Sequence, residues 1–318
     1  MELNKIYCGD ALTVLKTFPD QFVQCCVTSP PYYNVRDYKV EGQIGLEETV
    51  EEFIEKLVAV FHEIYRVLKD DGIIWVNMGD SYCGSGGPGG DFKNGKGGDT
   101  YGRRYNRKGQ DLKQKDLIGV PWMLAFALRK DGWYLRQELI WHKKSSMPEK
   151  VRDRCTKVHE HIFLLSKKPN YKYNYKDILE KTVEYHGKEW NQKPSKKYIK
   201  GDNCNPVAPK QTMATKGCTK WHTDENGIIM KNKRSVWYMN AGKSVEGHFA
   251  VMPDEMVRTC VIAGSDANDV VLDPFSGSGT VAKIAKKLNR QFVGIDLNPE
   301  YVKLSEKKTR CLSGLNLI

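Results

Sequence analysis

The chain has 318 residues, 50 of them Lys or Arg against 39 Asp or Glu, giving a formal net charge of +11 and a pI near 9.0. That length can bury a substantial core in one large domain or two smaller ones, and the charge favours a polyanionic partner, although interspersed acids exclude histone-like character. Nine cysteines without regular spacing speak against a secreted disulfide scaffold, and MELNKIYCGD holds no signal-peptide core, nor does any apolar run reach the length of a membrane span, so a soluble protein of a reducing cytoplasm is expected.

Residues 5–9 and 23–28 read as short buried strands with a brief helix, 11–18, between them. The second strand ends in Thr28-Ser29-Pro30-Pro31-Tyr32. Two prolines there stiffen the chain and leave carbonyls with no neighbouring amides, a corner that presents a hydroxyl, acceptors and an aromatic face. From Val50 the apolar positions Phe53, Ile54, Leu57, Val60, Phe61, Ile64, Val67 and Leu68 predict a helix closed by Asp70-Asp71-Gly72, followed by a buried strand over 72–77. Helix and strand in alternation mark an α/β sheet.

Residues 84–110 interrupt this order with glycines and Arg103, Arg104, Arg107 and Lys108. They read either as a solvated surface loop or as a mobile basic flap over a phosphate backbone. A helix over 121–128 and strands over 134–141 and 161–165 follow. Residues 167–234 are rich in lysine and tyrosine and poor in apolar periodicity, a mixture that suits contact with phosphates and bases. Cys204, Cys218, His186 and His222 lie there, but no C-x-x-C pair supports zinc and no metal is expected.

Regularity returns in DVVLDPFSGSGT (269–280), a strand entering a glycine turn, then a helix over 281–288, and QFVGIDLNPE (291–300), a strand ending in Asp296. Strand, glycine loop, helix, strand and acid form a nucleotide-type site. The loop lacks the lysine of a phosphate-binding loop. Gly277-Ser278-Gly279 followed by Ala282 satisfies a dinucleotide pattern, but Asp273 would repel a pyrophosphate and attract an ammonium. S-adenosylmethionine has the ammonium and no phosphate.

With TSPPY early and DPFSGSGT late, the chain resembles the permuted-order (beta class) amino-group DNA methyltransferases, in which the catalytic motif comes first and the cofactor motif last. HFAVMPDEMVRTCVIAGSDAND is similar to the family's helix before the cofactor loop, and GIIWVNMGDSY to an intervening segment. The resemblance implies a Rossmann-like α/β methyltransferase fold with a mostly parallel sheet, built from 1–166 and 235–318. Residues 84–110 would be a flexible basic loop and 167–234 an inserted target-recognition region.

It implies that Asp273, Phe275, Gly277 and Gly279 frame the methionine end of S-adenosyl-L-methionine, that Asp296 meets the ribose and Asp10 the adenine, with Thr28, Phe249 and Thr280 completing the cofactor set. Ser29, Pro30, Pro31 and Tyr32 would be catalytic. Arg36 and Lys143, with the four cations of 103–108, would meet double-stranded DNA. Asp10, Ser29, Asp273 and Asp296 would all lie at carboxyl ends of strands, hence around one crevice. The resemblance also allows a cognate restriction endonuclease and a homodimer; the residues decide neither.

Serine before the prolines goes, in the family, with cytosine N4, and aspartate or asparagine with adenine N6. A hydroxyl can both donate to a ring nitrogen and accept from the amine, which an ionised carboxylate cannot do. Cys25 and Cys26, in an apolar strand with nothing basic adjoining, read as core rather than nucleophile, and His142, His159 and His161 as structural or DNA-facing. Two rivals use other chemistry: a nicotinamide-dependent oxidoreductase leaves TSPPY unexplained, and a non-catalytic DNA-binding module has little use for a donor loop.

Overall fold

Strands that read as near-continuous apolar runs lie at the middle of one sheet, buried on both faces. A computed structural model describes residues 1–83, 112–146, 148–181, 222, 223, 225, 229–242 and 251–310. The chain divides into two compact units, Met1–Asn174 with Ser235–Ile318, and Tyr175–Arg234.

In the larger unit the elements run β1 (Lys5–Cys8), α1 (Ala11–Leu15), β2 (Val23–Thr28), α2 (Val50–Val67), β3 (Leu68–Met78), α3 (Val120–Lys130), β4 (Tyr134–Lys143) and β5 (His159–Ser166). The smaller unit holds a 3₁₀ turn, Tyr175–Ile178, and β6 (Glu180–Lys181), β7 (His222–Thr223) and β8 (Ile229–Lys231), an antiparallel sheet with β8 in its centre. The larger unit resumes with β9 (Val236–Met239), α4 (Asp254–Gly264), β10 (Val270–Asp273), α5 (Thr280–Lys287), β11 (Gln291–Asp296) and α6 (Pro299–Arg310).

The main sheet has the order β1-β11-β10-β2-β3-β5-β4-β9. It is parallel from β1 to β3; β5 runs antiparallel to both its neighbours, and β9 joins β4 in parallel. Helices α1, α2 and α3 pack together on one face, and α4, α5 and α6 on the other. On the first face Leu15, Phe53, Leu57, Phe61 and Ile64 meet Cys26, Ile74, Val76 and Met78 in one buried cluster. Each such side chain stabilises the fold by about 1.5–3 kcal/mol. On the second, a methyl group at Gly264 would come within 2.6 Å of Cys25 Sγ, so α4 lies directly on β2.

Helix α2 starts where Thr49 caps it through a bond from Glu52 N, and it ends one residue earlier than the periodicity suggests. The strand begins at once with Leu68, and the register between β2 and β3 slips from Val23–Leu68 to Cys25–Ile73. The residues around Asp70-Asp71-Gly72 therefore form an irregularity within β3 rather than a turn before it. Gly72 is required there, since a Cβ would sit 2.6 Å from Leu68 Cγ. Strand β9 has no clear sequence signal, yet its alternation is physical: Trp237 and Met239 are buried and Val236 and Tyr238 exposed, as on the edge of a sheet. Among the described residues no helix is long and apolar enough to cross a membrane.

Candidate active site

Parallel register sets the site. Cys8 pairs with Asp296, Asp273 with Gly294, Leu272 with Cys26 and Thr28 with Val76, so the carboxyl ends of β1, β11, β10, β2 and β3 finish side by side. The residues that end or follow them, Asp10, Asp296, Asp273, Ser29 and Gly79-Asp80, line one cavity of about 450 Å³.

In one half of it Asp273 is 2% exposed. Its Oδ1 accepts from the Thr28 hydroxyl at 2.8 Å and from Phe275 N at 3.2 Å, and no cationic side chain pairs with it among the described residues. Burial pushes this carboxyl up to about 7; the Thr28 and Phe275 bonds pull the other way, and Asp296 adds to the rise. A desolvated carboxylate without a counterion suits a cationic ligand. Asp296, also raised by burial, accepts from Gly277 N at 2.7 Å and Asn298 N at 2.8 Å. Gly277 reaches that bond at φ 50°. Ser276 Oγ is buried against Gly294 of β11, where a Cβ would lie 2.8 Å from it, and has no hydrogen-bond partner among the described residues. An ammonium for Asp273 and hydroxyls for Asp296 match S-adenosylmethionine; a pyrophosphate would meet two acids and no lysine.

Two expected cofactor residues, Thr28 and Gly279, take structural tasks, and Asp10 adds one to its place in the lining. Thr28 lies beneath the cavity as the hydroxyl that holds Asp273. Asp10 lines the cavity, but its Oδ2 caps α1, accepting from Thr13 N and Thr13 Oγ1, each at 2.8 Å. Gly279, at φ 78°, faces away from the cavity: a Cβ there would lie 2.0 Å from Ser305 Oγ and 3.0 Å from Ser305 Cα. It fixes how closely α6 approaches the loop. Gly279→Ala is therefore expected to destabilise the fold by about 3 kcal/mol, from backbone strain and overpacking together. Urea unfolding checks this; a loss within about 0.5 kcal/mol would show that α6 yields freely.

The other half centres on the proline corner. The Tyr32 hydroxyl donates to Glu160 Oε2 at 2.7 Å, and Asn77 Nδ2 donates to Tyr32 Oη at 3.0 Å and to Glu160 Oε2 at 2.8 Å. Ser29 Oγ lies 3.4 Å from Tyr32 Oη, long enough to leave it free to turn toward a ligand. Glu160 Oε1 pairs with Lys143. Burial works to raise the Glu160 carboxyl, but the Lys143 charge and the bonds from Lys143, Tyr32 and Asn77 outweigh it and hold it below the usual range. Burial and the Glu160 charge push the Tyr32 phenol well up, so it stays protonated. A Cβ on Gly79 would come 2.6 Å from Tyr32 Cε2, so the strand end presses against the ring edge.

Tyr32 is thus anchored through its hydroxyl, a constraint that its sequence context does not reveal. Lys143, expected at the DNA backbone, is committed instead to Glu160 and lies 5.0 Å from the Trp141 ring centroid. Arg36 lines the cavity beside Tyr38. Phe249, Arg103, Arg104, Arg107 and Lys108 lie outside the described residues, as do Cys204, Cys218 and His186. Cys25 and Cys26 are fully buried, and burial raises both thiols, which removes them as nucleophiles. His161 Nδ1 lies 2.7 Å from Glu138 Oε1; His159 reaches the cavity, and burial, with His161 and Lys157 nearby, lowers its proton affinity.

Glu160, Asn77, Asp80 and Lys157 escape the sequence reading. All but Lys157 carry a weak signal. Asn77 interrupts the apolar run that ends β3, Glu160 stands just before the apolar run of β5, and Asp80 follows a glycine just past its strand as Asp10 does. Asp80 caps α3, accepting from Gly119 N and Val120 N.

Residues 23–307 match the sequence model of a DNA methylase family, N6_N4_Mtase. The Type II methyltransferase M.Cfr9I of Citrobacter freundii is 40% identical over 307 residues, covering 96% of this chain and 88% of its own. M.SmaI of Serratia marcescens, also a Type II methyltransferase, is 41% identical over 307 residues, with 96% and 90% covered. The PvuII DNA methyltransferase (cytosine-N4-specific) superposes with a TM-score of 0.60 at 16% identity, over 95% of this chain and 85% of that one. TTHA0409 of Thermus thermophilus, complexed with S-adenosyl-L-methionine, gives 0.57 at 22% identity, over 98% and 95%. At these identities the two structures share the fold.

Proposed function

Since the chain belongs to the N6/N4 DNA methylase family, we propose that it is a site-specific Type II DNA methyltransferase acting on the exocyclic N4 of cytosine in duplex DNA. The observation that carries this reading is the joining, in one cavity, of the Ser29–Tyr32 corner and a buried Asp273 that has no cationic partner among the described residues. S-adenosyl-L-methionine is the methyl donor. Asp273 would hold its ammonium, Asp296 its hydroxyls, and Phe275 its flank. When bound, it supplies an electrophilic methyl group for direct displacement.

The chain's own part is to make a poor nucleophile attack. The amine lone pair of a nucleobase is delocalised into the ring. Ser29 Oγ and the Pro30 carbonyl accept its N–H bonds, which opposes that delocalisation and orients the nitrogen. The amine is unreachable inside a duplex, so the base must leave the stack and enter the cavity beside Tyr32. Anchored at its hydroxyl, the Tyr32 ring forms a fixed wall for it. No thiol adduct takes part, in keeping with the buried Cys25 and Cys26.

Ser29 supports cytosine, because a hydroxyl can serve the ring nitrogen and the amine together. Residues 167–234 would read the target sequence. The test is digestion of methylated DNA to nucleosides with mass spectrometry of the modified base. N4-methylcytosine is the expected product; N6-methyladenine alone would overturn the cytosine reading and leave the methyltransferase intact.

A further inference from the structure

Lys157 is a half-buried ammonium in the cavity that the chemistry above leaves unused. Its Nζ donates to the Asp80 carbonyl at 2.6 Å, and no carboxylate lies within ion-pair distance of it among the described residues. An ammonium has three donors, so two stay uncommitted among the described residues. Burial lowers its proton affinity; Asp80 and Glu160 oppose that and Lys143 adds to it, which marks the surroundings as poor in water. A charged donor kept in such a place calls for an acceptor that arrives with the ligand.

Its position selects which ligand. The donor half of the cavity lies at β10, β11 and β1. Lys157 stands just before β5, bonded to the residue after Gly79, which itself presses on the Tyr32 ring. This is the half that takes the base. Beside the exocyclic amine, cytosine carries N3 and then the O2 carbonyl; adenine carries N1 and then a C–H. The carbonyl can accept from an ammonium and the C–H cannot. We infer that Lys157 donates to O2 of the extracted cytosine and is a specificity-determining residue for cytosine over adenine. The inference rests on the cytosine reading. A contact to the phosphate of the same nucleotide would also use the charge, but it would not distinguish bases.

The experiment uses a duplex bearing the mapped target with cytosine or 2-thiocytosine at the modified position, since sulfur accepts hydrogen bonds far more weakly than oxygen. Single-turnover methyl transfer is measured for wild type, Lys157→Met and Lys157→Arg, with S-adenosylmethionine affinity as the check on folding. Wild type is expected to lose about tenfold on the thio substrate. Lys157→Met should lose about as much on cytosine and nothing further on 2-thiocytosine, and Lys157→Arg should regain part of the cytosine rate. Wild type indifferent to the sulfur overturns the inference. So does Lys157→Met with the wild-type ratio between substrates, whether its rates are normal or uniformly lowered as a phosphate contact predicts. If the Met variant fails to bind the donor, the Arg variant decides by the same ratio. N6-methyladenine in the wild-type digest would instead remove the cytosine reading, and this inference with it.

Discussion

Asp273→Asn is expected to weaken S-adenosylmethionine binding by about 2 kcal/mol, roughly 30-fold, the scale of a desolvated, charge-assisted hydrogen bond. The substitution keeps the shape and an acceptor for Thr28 and Phe275, so the fold should survive. The pH dependence identifies the cause. Burial raises this carboxyl from 3.8 to about 7 in the folded protein, so between those values the folded state holds a proton that the unfolded chain has lost. Stability of the ligand-free protein is then full below about 4 and declines as the pH rises toward 7. The donor's ammonium requires the carboxylate. Its affinity should therefore fall as the pH drops below 7, because binding must first expel the proton, and the thermal shift it induces should grow from pH 5 to pH 8. Asp296, raised in the same direction, contributes a smaller slope of the same sign. In Asp273→Asn most of the slope should vanish. Isothermal titration at several pH values checks both parts; wild-type affinity and slope in the folded variant would sink the assignment.

The ring of strand-end residues was legible from sequence because it follows from topology. Apolar runs closed by Asp10, Ser29, Asp273 and Asp296 predict parallel strands, and parallel strands deliver their carboxyl ends to one crevice. What could not be read is how each group is used. Gly279 belongs to a glycine loop in sequence, yet only the packing of α6 shows that Ser305, rather than a ligand, demands it. Lys143 is one basic residue among 50 until β4 and β5 pair and bring it to Glu160. Tyr32, Asn77 and Glu160 come from three separate strands or strand ends, and their sequence neighbours carry no trace of the hydrogen bonds between them. The irregularity at Asp70-Asp71-Gly72 misleads for a related reason: turn residues suggest a boundary, whereas the chain stays extended through them within β3.

Ser29→Ala should lower turnover by on the order of 10²–10³-fold with donor affinity nearly unchanged, the loss typical for one preorganised hydrogen-bonding group at a reacting centre. Tyr32→Ala should do the same by removing the wall against which the base is held. The network around Tyr32 allows a finer division. Tyr32→Phe keeps the ring and removes the hydroxyl that Glu160 and Asn77 grip, so the ring loses its anchor while the corner keeps its acceptors. About tenfold in turnover is expected from that change alone. Glu160→Gln should cost a similar factor, because a neutral amide holds the phenol less firmly and leaves Lys143 unpaired. If Glu160 acts through the Tyr32 hydroxyl, the double variant should be little worse than either single one, a coupling that a double-mutant cycle on single-turnover rates measures directly. Fully multiplicative losses would mean that Glu160 serves the base by another route, and a Ser29→Ala enzyme that methylates normally at saturating donor would remove the hydroxyl from the chemistry altogether.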